Sequence, residues 1–376
     1  MRILMASDLY SPHLLGGGEK RMYEIARRLA KKHEIHLLTR KFKGLPSYEV
    51  CEDVYVHRIF IPSSRVKLES PSDGSAFMVG SLIKGVKLGD FDIYAPQQFF
   101  PIPPLWLMAK ARKKPIIATI HDIYRETWLQ KYGIKGCLMS LFEEIMLKLP
   151  YSKIITVSNS SKKKLVDSGL SEDKIEVIPN GVNLEEFDKV KIEKSRKPRV
   201  IYVGRLIGYK HVDDLLLAFS KLNLDAELYI VGDGPERRNL EFLATKLGIK
   251  HKVTFTGFVN ERRKIELLKS SHVLVLPSTT EGFGIVLIEA MAARTPVIAT
   301  DIPPLRELIK EEETGLLFAP RKVEELKTKL EHLLKNTELS KRLSLRGYEL
   351  VKRSFCWDEI AKKVEELFKK ASHSRS

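Results

Sequence analysis

The chain has 376 residues, enough for two domains of ordinary size, and its 43% apolar and 30% charged content excludes a disordered or membrane-spanning protein. The net charge is +16, yet no arginine-rich or aromatic-interleaved block concentrates it, so nucleic acid is not an expected partner; anionic lipid head groups, or solubility alone, suit a diffuse excess. Three scattered cysteines (Cys51, Cys137, Cys356) without a Cys-x-x-Cys pair exclude a disulfide framework and a zinc site, and suit a reducing, cytoplasmic compartment.

Met1-Arg-Ile-Leu-Met-Ala-Ser-Asp runs straight into a strand and has no signal-peptide apolar core. Only three glutamines (Gln97, Gln98, Gln130) stand among many Lys and Glu, as in a thermophilic protein. The first strand, Arg2–Ala6, leads into a polar turn ending in Gly16-Gly17-Gly18. A helix is predicted from Glu19 to about Lys32, with Met22, Ile25, Ala26 and Leu29 on one face. Strand, glycine turn and helix suit a phosphate-binding crevice, or equally a plain tight turn. Ile35–Thr39 completes a β-α-β unit, and strands are predicted at Tyr55–Ile61, Ile93–Ala95, Pro115–Thr119 and Ile154–Val157. That alternation predicts a doubly wound parallel sheet.

Within this half, Asp90-Phe-Asp92 spells an Asp-x-Asp metal motif, but paired acids before a strand are commonplace and we read them as structural. Phe99–Ala109 is apolar, loop-like and too short to span a bilayer. His121 follows a strand directly. At a strand's carboxyl end it is either an ordinary loop histidine or a hydrogen-bond donor to a sugar hydroxyl. Asn180-Gly181 is a strong turn signal. Lys189–Arg199 has no apolar period and is predicted as the linker between a first domain (1–188) and a second (200–354).

The second domain opens with Val200–Val203, then Gly204-Arg205-Leu-Ile-Gly208-Tyr-Lys210 and a helix from about Val212. Arg205 and Lys210 lie on one glycine-bearing turn, so a guanidinium fork and an ammonium can reach a single anionic ligand. Two further strands end in turns, at Gly232-Asp233-Gly234 and at Gly257-Phe258. The run His272-Val-Leu-Val-Leu-Pro277 is a buried strand. After it come Ser278–Gly284, with Glu281 in the turn, and an apolar helix over Ile285–Ala293 that carries Glu289. A carboxylate among apolar helix residues needs partners; bound sugar hydroxyls would serve, and so would ordinary dipole pairing of an acid near a helix start. Phe355–Lys370 shows helical spacing of apolar residues.

Three motifs taken together, Val-Gly-Arg-Leu-x-x-x-Lys, Pro-Ser-x-x-Glu-Gly-Phe-Gly with Glu-Ala-Met-Ala, and Thr-Pro-Val-Ile-Ala-Thr, closely resemble the donor-site signature of family 4 retaining glycosyltransferases. The resemblance covers most of the chain and is specific from about Val200 to Gly315. It implies the GT-B fold, two Rossmann-like domains facing across a cleft, with the last helix (355–376) crossing back to the first domain. It implies a hexosyl transfer from a nucleotide diphosphate sugar, without metal or bound cofactor, to a glycan or lipid-linked acceptor. Arg205 and Lys210 would hold the diphosphate, Glu281 the donor sugar, and Glu289 the ribose. Backbone at Gly16, Gly17, Gly18, Gly282, Phe283 and Gly284 would face phosphate or sugar, and Gly232, Asp233 and Phe258 would lie at the nucleotide. His121 would meet the sugar. UDP-sugar is the preferred expectation over GDP-sugar.

The chain departs from the family pattern at Arg294, usually glycine, and at Ile302-Pro303-Pro304, usually a Gly-Gly pair. Two alternatives remain at this point. One is another enzyme on the same architecture, a nucleotide-sugar epimerase or a phosphorylase with a pyridoxal lysine. The other is a non-catalytic, basic membrane-binding module. Apolar and basic residues of Ser64–Leu88 and Phe99–Lys114 would suit a lipid-linked acceptor at an anionic membrane surface, or equally form ordinary core-facing helices with solvated lysines.

Overall fold

The computed structural model describes residues 1–12, 16–61, 71–123 and 134–373. These form two compact units, one of residues 1–180 with the chain from Trp357 onward, the other Gly181–Cys356.

The first unit contains β1 (Arg2–Ala6), β2 (Glu34–Arg40), β3 (Tyr48–Cys51), β4 (Val54–Ile59), β5 (Ile93–Pro96), β6 (Ile117–Thr119), β7 (Lys153–Thr156) and β8 (Ile175–Val177). One sheet has the order β3-β4-β2-β1-β5 and another the order β6-β7-β8. Bridges Tyr94–Ile116 and Gln97–Thr119 run β5 alongside β6. Pairing is parallel except at the β3–β4 edge. That edge strand was not predicted: four residues with Tyr48 and Val50 half exposed carry little apolar signal. Strands β1, β2 and β5 are almost wholly buried, as strands covered on both faces must be.

One expectation in this half is corrected. Residues 102–111 of the loop-like Phe99–Ala109 region form a helix, Ile102–Ala111. Its prolines fall at the N-cap and in the first turn, where a missing N–H costs nothing and the fixed φ suits helix entry. Of the stretch Ser64–Leu88, Pro71–Lys87 is helical, and 64–70 lie outside the described residues.

The second unit contains β9 (Arg199–Val203), β10 (Glu227–Val231), β11 (Val253–Gly257), β12 (Val273–Leu276), β13 (Val297–Thr300) and β14 (Leu316–Phe318). The order is β11-β10-β9-β12-β13-β14, parallel throughout. The sheet grows outward from β9 in one direction and then restarts at β12 in the other. The reversal opens a crevice beyond the carboxyl ends of β9 and β12, the usual ligand position of a doubly wound sheet.

The division between units lies after Asn180, not within the expected linker 189–199. That stretch packs on the second unit. Ser195 N–H donates to Ser270 O at 2.9 Å, and the Lys194 ammonium bonds Ser271 O and Thr295 Oγ1. The final helix, Trp357–His373, belongs to the first unit. Arg28 bonds Asp358 at 2.6 Å, and Glu365 receives His33 at 3.2 Å and Lys32 at 3.3 Å.

Candidate active site

The turn after β9 and the turn after β12 meet at the strand reversal. Lys210 Nζ lies 2.5 Å from Glu281 Oε1, with both side chains largely buried. Arg205 Nη2 donates to Tyr209 Oη at 3.2 Å, and Tyr202 Oη holds the Arg205 carbonyl at 2.9 Å. Thr279 N–H donates to Tyr209 O at 3.0 Å, tying the two turns through their backbones. Residues that are 71 positions apart in sequence thus form one charged cluster of two cations and one acid. The turn 278–284 closes on Gly284, whose φ of +86° is a left-handed conformation; a Cβ there would also meet Leu305 at 2.7 Å. No side chain caps the helix Ile285–Ala292 that follows, and Leu287 N–H turns back onto Gly284 O at 2.9 Å, so the positive end of its dipole lies at the same sheet end. Phe283 is buried edge-on against Phe355, so its ring serves packing.

Glu289 lies on the second turn of that helix and is buried. Its partner is Lys264, 2.9 Å from Oε1, which also bonds Glu261 at 3.0 Å. Sequence reading missed Lys264; nothing in the polar helix Glu261–Ser270 marks one lysine as inward-facing. The other nucleotide-side residues divide by role. Gly232 has φ +126°, and a Cβ there would lie 2.0 Å from the Gly204 carbonyl, so its bareness lets the β9 and β10 turns approach. Asp233 accepts from Gly234 N–H at 2.8 Å and from Arg237 at 3.0 Å. Phe258, after β11, is exposed.

In the first unit, β1 is flanked by β2 and β5, and the reversal again lies at the strand ends. Gly16 is the N-cap of the helix Gly17–Leu29, without a side-chain cap. A Cβ on Gly18 would sit 3.3 Å from both His121 Nε2 and Gln97 Nε2, so glycine loop, His121 and Gln97 are brought together. Gln97 donates to the Gly18 carbonyl at 2.8 Å. His121 is buried and lowered to about 3, first by desolvation and then by the Arg21 charge, so its imidazole is neutral. Arg21, also missed from sequence, is fully buried; desolvation lowers it to about 9. It donates to Pro179 O at 2.6 Å and to Asn180 Oδ1 at 3.2 Å. Asp90 and Asp92 bond Arg112 and the Arg2 N–H, a structural arrangement.

Two α/β units with parallel strands and charged side chains gathered at strand ends are the architecture expected of a GT-B glycosyltransferase. Solved structures agree. Sucrose-phosphate synthase from Thermosynechococcus elongatus superposes with a TM-score of 0.85 at 22% identity, covering 98% of each chain. Anabaena HepE in complex with UDP and glucose gives 0.79 at 17%, covering 98% of this chain and all of that one. The Glycosyl transferases group 1 family matches residues 184–350, and Glycosyltransferase Family 4 matches 15–186. An uncharacterized glycosyltransferase of Methanocaldococcus jannaschii is 30% identical over 98% of both chains. The chain belongs to the group 1, family 4 glycosyltransferases.

Proposed function

We propose that this glycosyltransferase moves a hexosyl group, with retention, from a nucleotide diphosphate sugar to a hydroxyl acceptor. The carrying observation is the Lys210–Glu281 pair beside Arg205 at the strand reversal. Donor entry exchanges partners there: Lys210 passes from Glu281 to the diphosphate, and Glu281 is released to the sugar hydroxyls. Arg205 joins Lys210 on the diphosphate, where fixed cations stabilise the charge that grows as the glycosidic oxygen leaves. The uncapped N-terminus of the helix Ile285–Ala292 faces the same charge. The bond from the anomeric carbon to the diphosphate breaks as the bond to the acceptor oxygen forms, and the acceptor's proton passes to the departing diphosphate. Glu289, oriented by Lys264, takes the ribose hydroxyls. His121, held neutral by burial, donates a hydrogen bond to a sugar hydroxyl.

Two cations suffice for the diphosphate in this scheme, so we propose that transfer is independent of divalent metal. UDP is the preferred nucleotide; UDP in the similarly folded Anabaena protein supports that choice. For the acceptor we propose a lipid-linked glycan. In the first unit, Val79, Ile83 and Val86 on one helix and Leu138, Leu141 and Ile145 on another are half exposed or more, and Lys84, Lys87 and Lys148 accompany them. An apolar, basic surface suits peripheral contact with anionic lipid. Among the described residues no helix is long and apolar enough to cross a membrane.

The test is a thermal-shift and product-release screen with UDP-, GDP- and ADP-sugars in EDTA. Stabilisation by one nucleotide with release of its diphosphate is expected. Failure of every nucleotide to bind, or a strict divalent-metal requirement, overturns the reading. Conversion of a nucleotide sugar without acceptor or hydrolysis would instead point to an epimerase. Flotation with anionic vesicles at low salt checks the acceptor side, and failure to co-float removes the membrane contact.

A further inference from the structure

Behind the Lys210–Glu281 pair runs a hydrogen-bond chain with a fixed direction. Arg321 Nη1 lies 2.5 Å from His211 Nδ1. A guanidinium only donates, so Nδ1 accepts and the ring's single proton resides on Nε2. His211 Nε2 then donates to Thr279 Oγ1 at 3.1 Å, and that hydroxyl donates to Tyr209 O at 3.4 Å. Tyr209 in turn receives Arg205 on its own hydroxyl at 3.2 Å. At the far end the same Arg321 Nη1 lies 2.9 Å from Oδ2 of buried Asp214 and 3.2 Å from Asp213 Oδ2; its two protons serve His211 and Asp214, and Asp213 adds charge at the longer distance.

The backbone shows that this chain is held in place against a cost. His211 has φ +46° and Arg321 φ +64°, both left-handed, where residues with a Cβ are disfavoured. Non-glycine residues persist in such conformations only where surrounding contacts over-determine them. Here the two strained residues bond each other. The chain also touches both halves of the charged cluster: His211 follows Lys210 directly, and Thr279 lies two residues before Glu281.

We propose that Arg321, His211 and Thr279 are positioning residues whose directed hydrogen bonds hold the Arg205–Lys210 turn in register with the Glu281 turn. None of the three needs to touch the donor. The inference rests on the donor-site reading above, because it takes Lys210 and Glu281 as the groups whose placement matters. A small displacement of charge-stabilising groups costs rate out of proportion to binding, so loosening the chain lowers kcat more than it raises KM.

The experiment compares H211G, T279V, T279S and K210A in release of UDP, GDP or ADP from UDP-glucose, GDP-mannose or ADP-glucose, with water as the glycosyl acceptor and free sugar as the second product. H211G removes the ring and relieves the left-handed backbone together, so a purely structural role predicts unchanged or higher Tm and unchanged turnover. Under positioning, H211G and T279V lose about 10- to 100-fold in kcat with donor KM within about threefold. T279S, which keeps the hydroxyl, stays near wild type. Wild-type kcat in H211G and T279V beside a collapsed K210A overturns this inference alone. Full turnover in K210A, or none in the wild type with any donor, overturns the donor-site reading and this inference with it. If H211G fails to fold, T279V against T279S decides.

Discussion

The two units place polar groups at the same end of similar sheets but treat them differently. In the second, the cluster closes on itself: Lys210 on Glu281, Arg205 on Tyr209, Lys264 on Glu289. In the first, His121 Nε2 and the Arg21 Nε and Nη2 atoms, which belong to ionisable groups, are buried without a hydrogen-bond partner, whereas the second unit's site turn leaves only the neutral Ser278 Oγ so among its described residues. A site that handles a fixed, highly charged leaving group gains from cations held beside the place it will take, so that the exchange of Glu281 for diphosphate accompanies binding and no reorganisation is left for the reaction itself. Buried groups without partners carry the opposite signature, because each desolvated donor or acceptor lowers stability until something satisfies it. The second unit is therefore expected to be stable and sensitive to single charge deletions, the first to be sensitive to pH.

The largest expected effect tests the self-closure of the second unit. Lys264→Met removes the cation that faces buried Glu289. Deleting one partner of a buried pair costs about 3–5 kcal/mol, and the partial exposure of Lys264 favours the lower end. The urea midpoint should fall accordingly, and Glu289→Gln added to Lys264→Met should restore part of the loss. An unchanged midpoint would mean that the pair contributes nothing and that the contrast between units is overstated.

Next in size is the barrier itself. Lys210→Ala or Arg205→Ala should each raise it by about 2–4 kcal/mol, roughly 30- to 1,000-fold in kcat, the range for losing one preorganised charge-stabilising donor. Steady-state diphosphate release checks this. Unchanged turnover in both variants breaks the assignment of the cluster to the leaving group.

These two predictions differ in how far the sequence reveals them. Arg205, Lys210 and Glu281 could be singled out because each lies in a short turn directly after an apolar strand, where an α/β sheet exposes ligands, and because the motifs around them resemble a donor-site signature; the structure brings Lys210 and Glu281 together. Parallel β/α alternation was legible for the same reason. Lys264 was not, since its contact with Glu289 spans 25 residues and depends on how two helices face. The His211–Arg321 bond spans 110, and side-chain pairing at that separation leaves no local pattern. Ile102–Ala111 was misread because prolines suppress a helical reading unless their place in the first turn is known. The boundary after Asn180 was missed because 189–199 is polar in composition yet tied down by backbone and lysine hydrogen bonds.

The first unit is probed by acid. His121 is lowered from 6.5 to about 3 by burial and by Arg21, so on acidification the unfolded chain takes up a proton that the folded chain refuses. Its contribution is harmless above pH about 6.5 and destabilises progressively as pH falls toward 3, by up to about 1.4 kcal/mol per pH unit. His57, lowered to about 4 chiefly by burial, acts in the same direction. Glu365 is lowered to about 2, first by its hydrogen bond with Lys369, and adds its own loss only below its ordinary 4.5. His33 in the first unit and His272 in the second are lowered as well, first by burial, and Asp214 in the second is raised by burial and acts in the opposite direction, so the difference between wild type and a His121 variant assigns the slope between pH 4.5 and 6.5 to His121. His121→Asn should flatten the slope of stability against pH there, read by urea melts. An unaltered slope would show that His121 is not held neutral, and would remove the contrast on which its donor role depends.

The smallest effect concerns Arg294, which stands at the end of the helix Ile285–Ala292. Thr295 N–H returns to Ala290 O at 2.8 Å and Arg294 N–H to Met291 O at 3.0 Å, the paired bonds of a Schellman cap. That cap requires a left-handed residue, and Arg294 has φ +56°, which explains in physical terms why glycine is the residue expected there. The guanidinium lies 3.8 Å from the Tyr348 ring centroid, a contact worth about 0.5–1 kcal/mol at an accessible site and of similar size to the backbone strain. Arg294→Gly alone therefore mixes two opposing changes. Arg294→Ala loses the stacking but keeps the strain, so the difference between the two variants isolates the backbone. Glycine should be more stable than alanine by about 1 kcal/mol, seen as a higher Tm for Arg294→Gly. Equal stability would mean that the helix end relaxes freely, and a second unit that relaxes there cannot be the rigid half of the comparison.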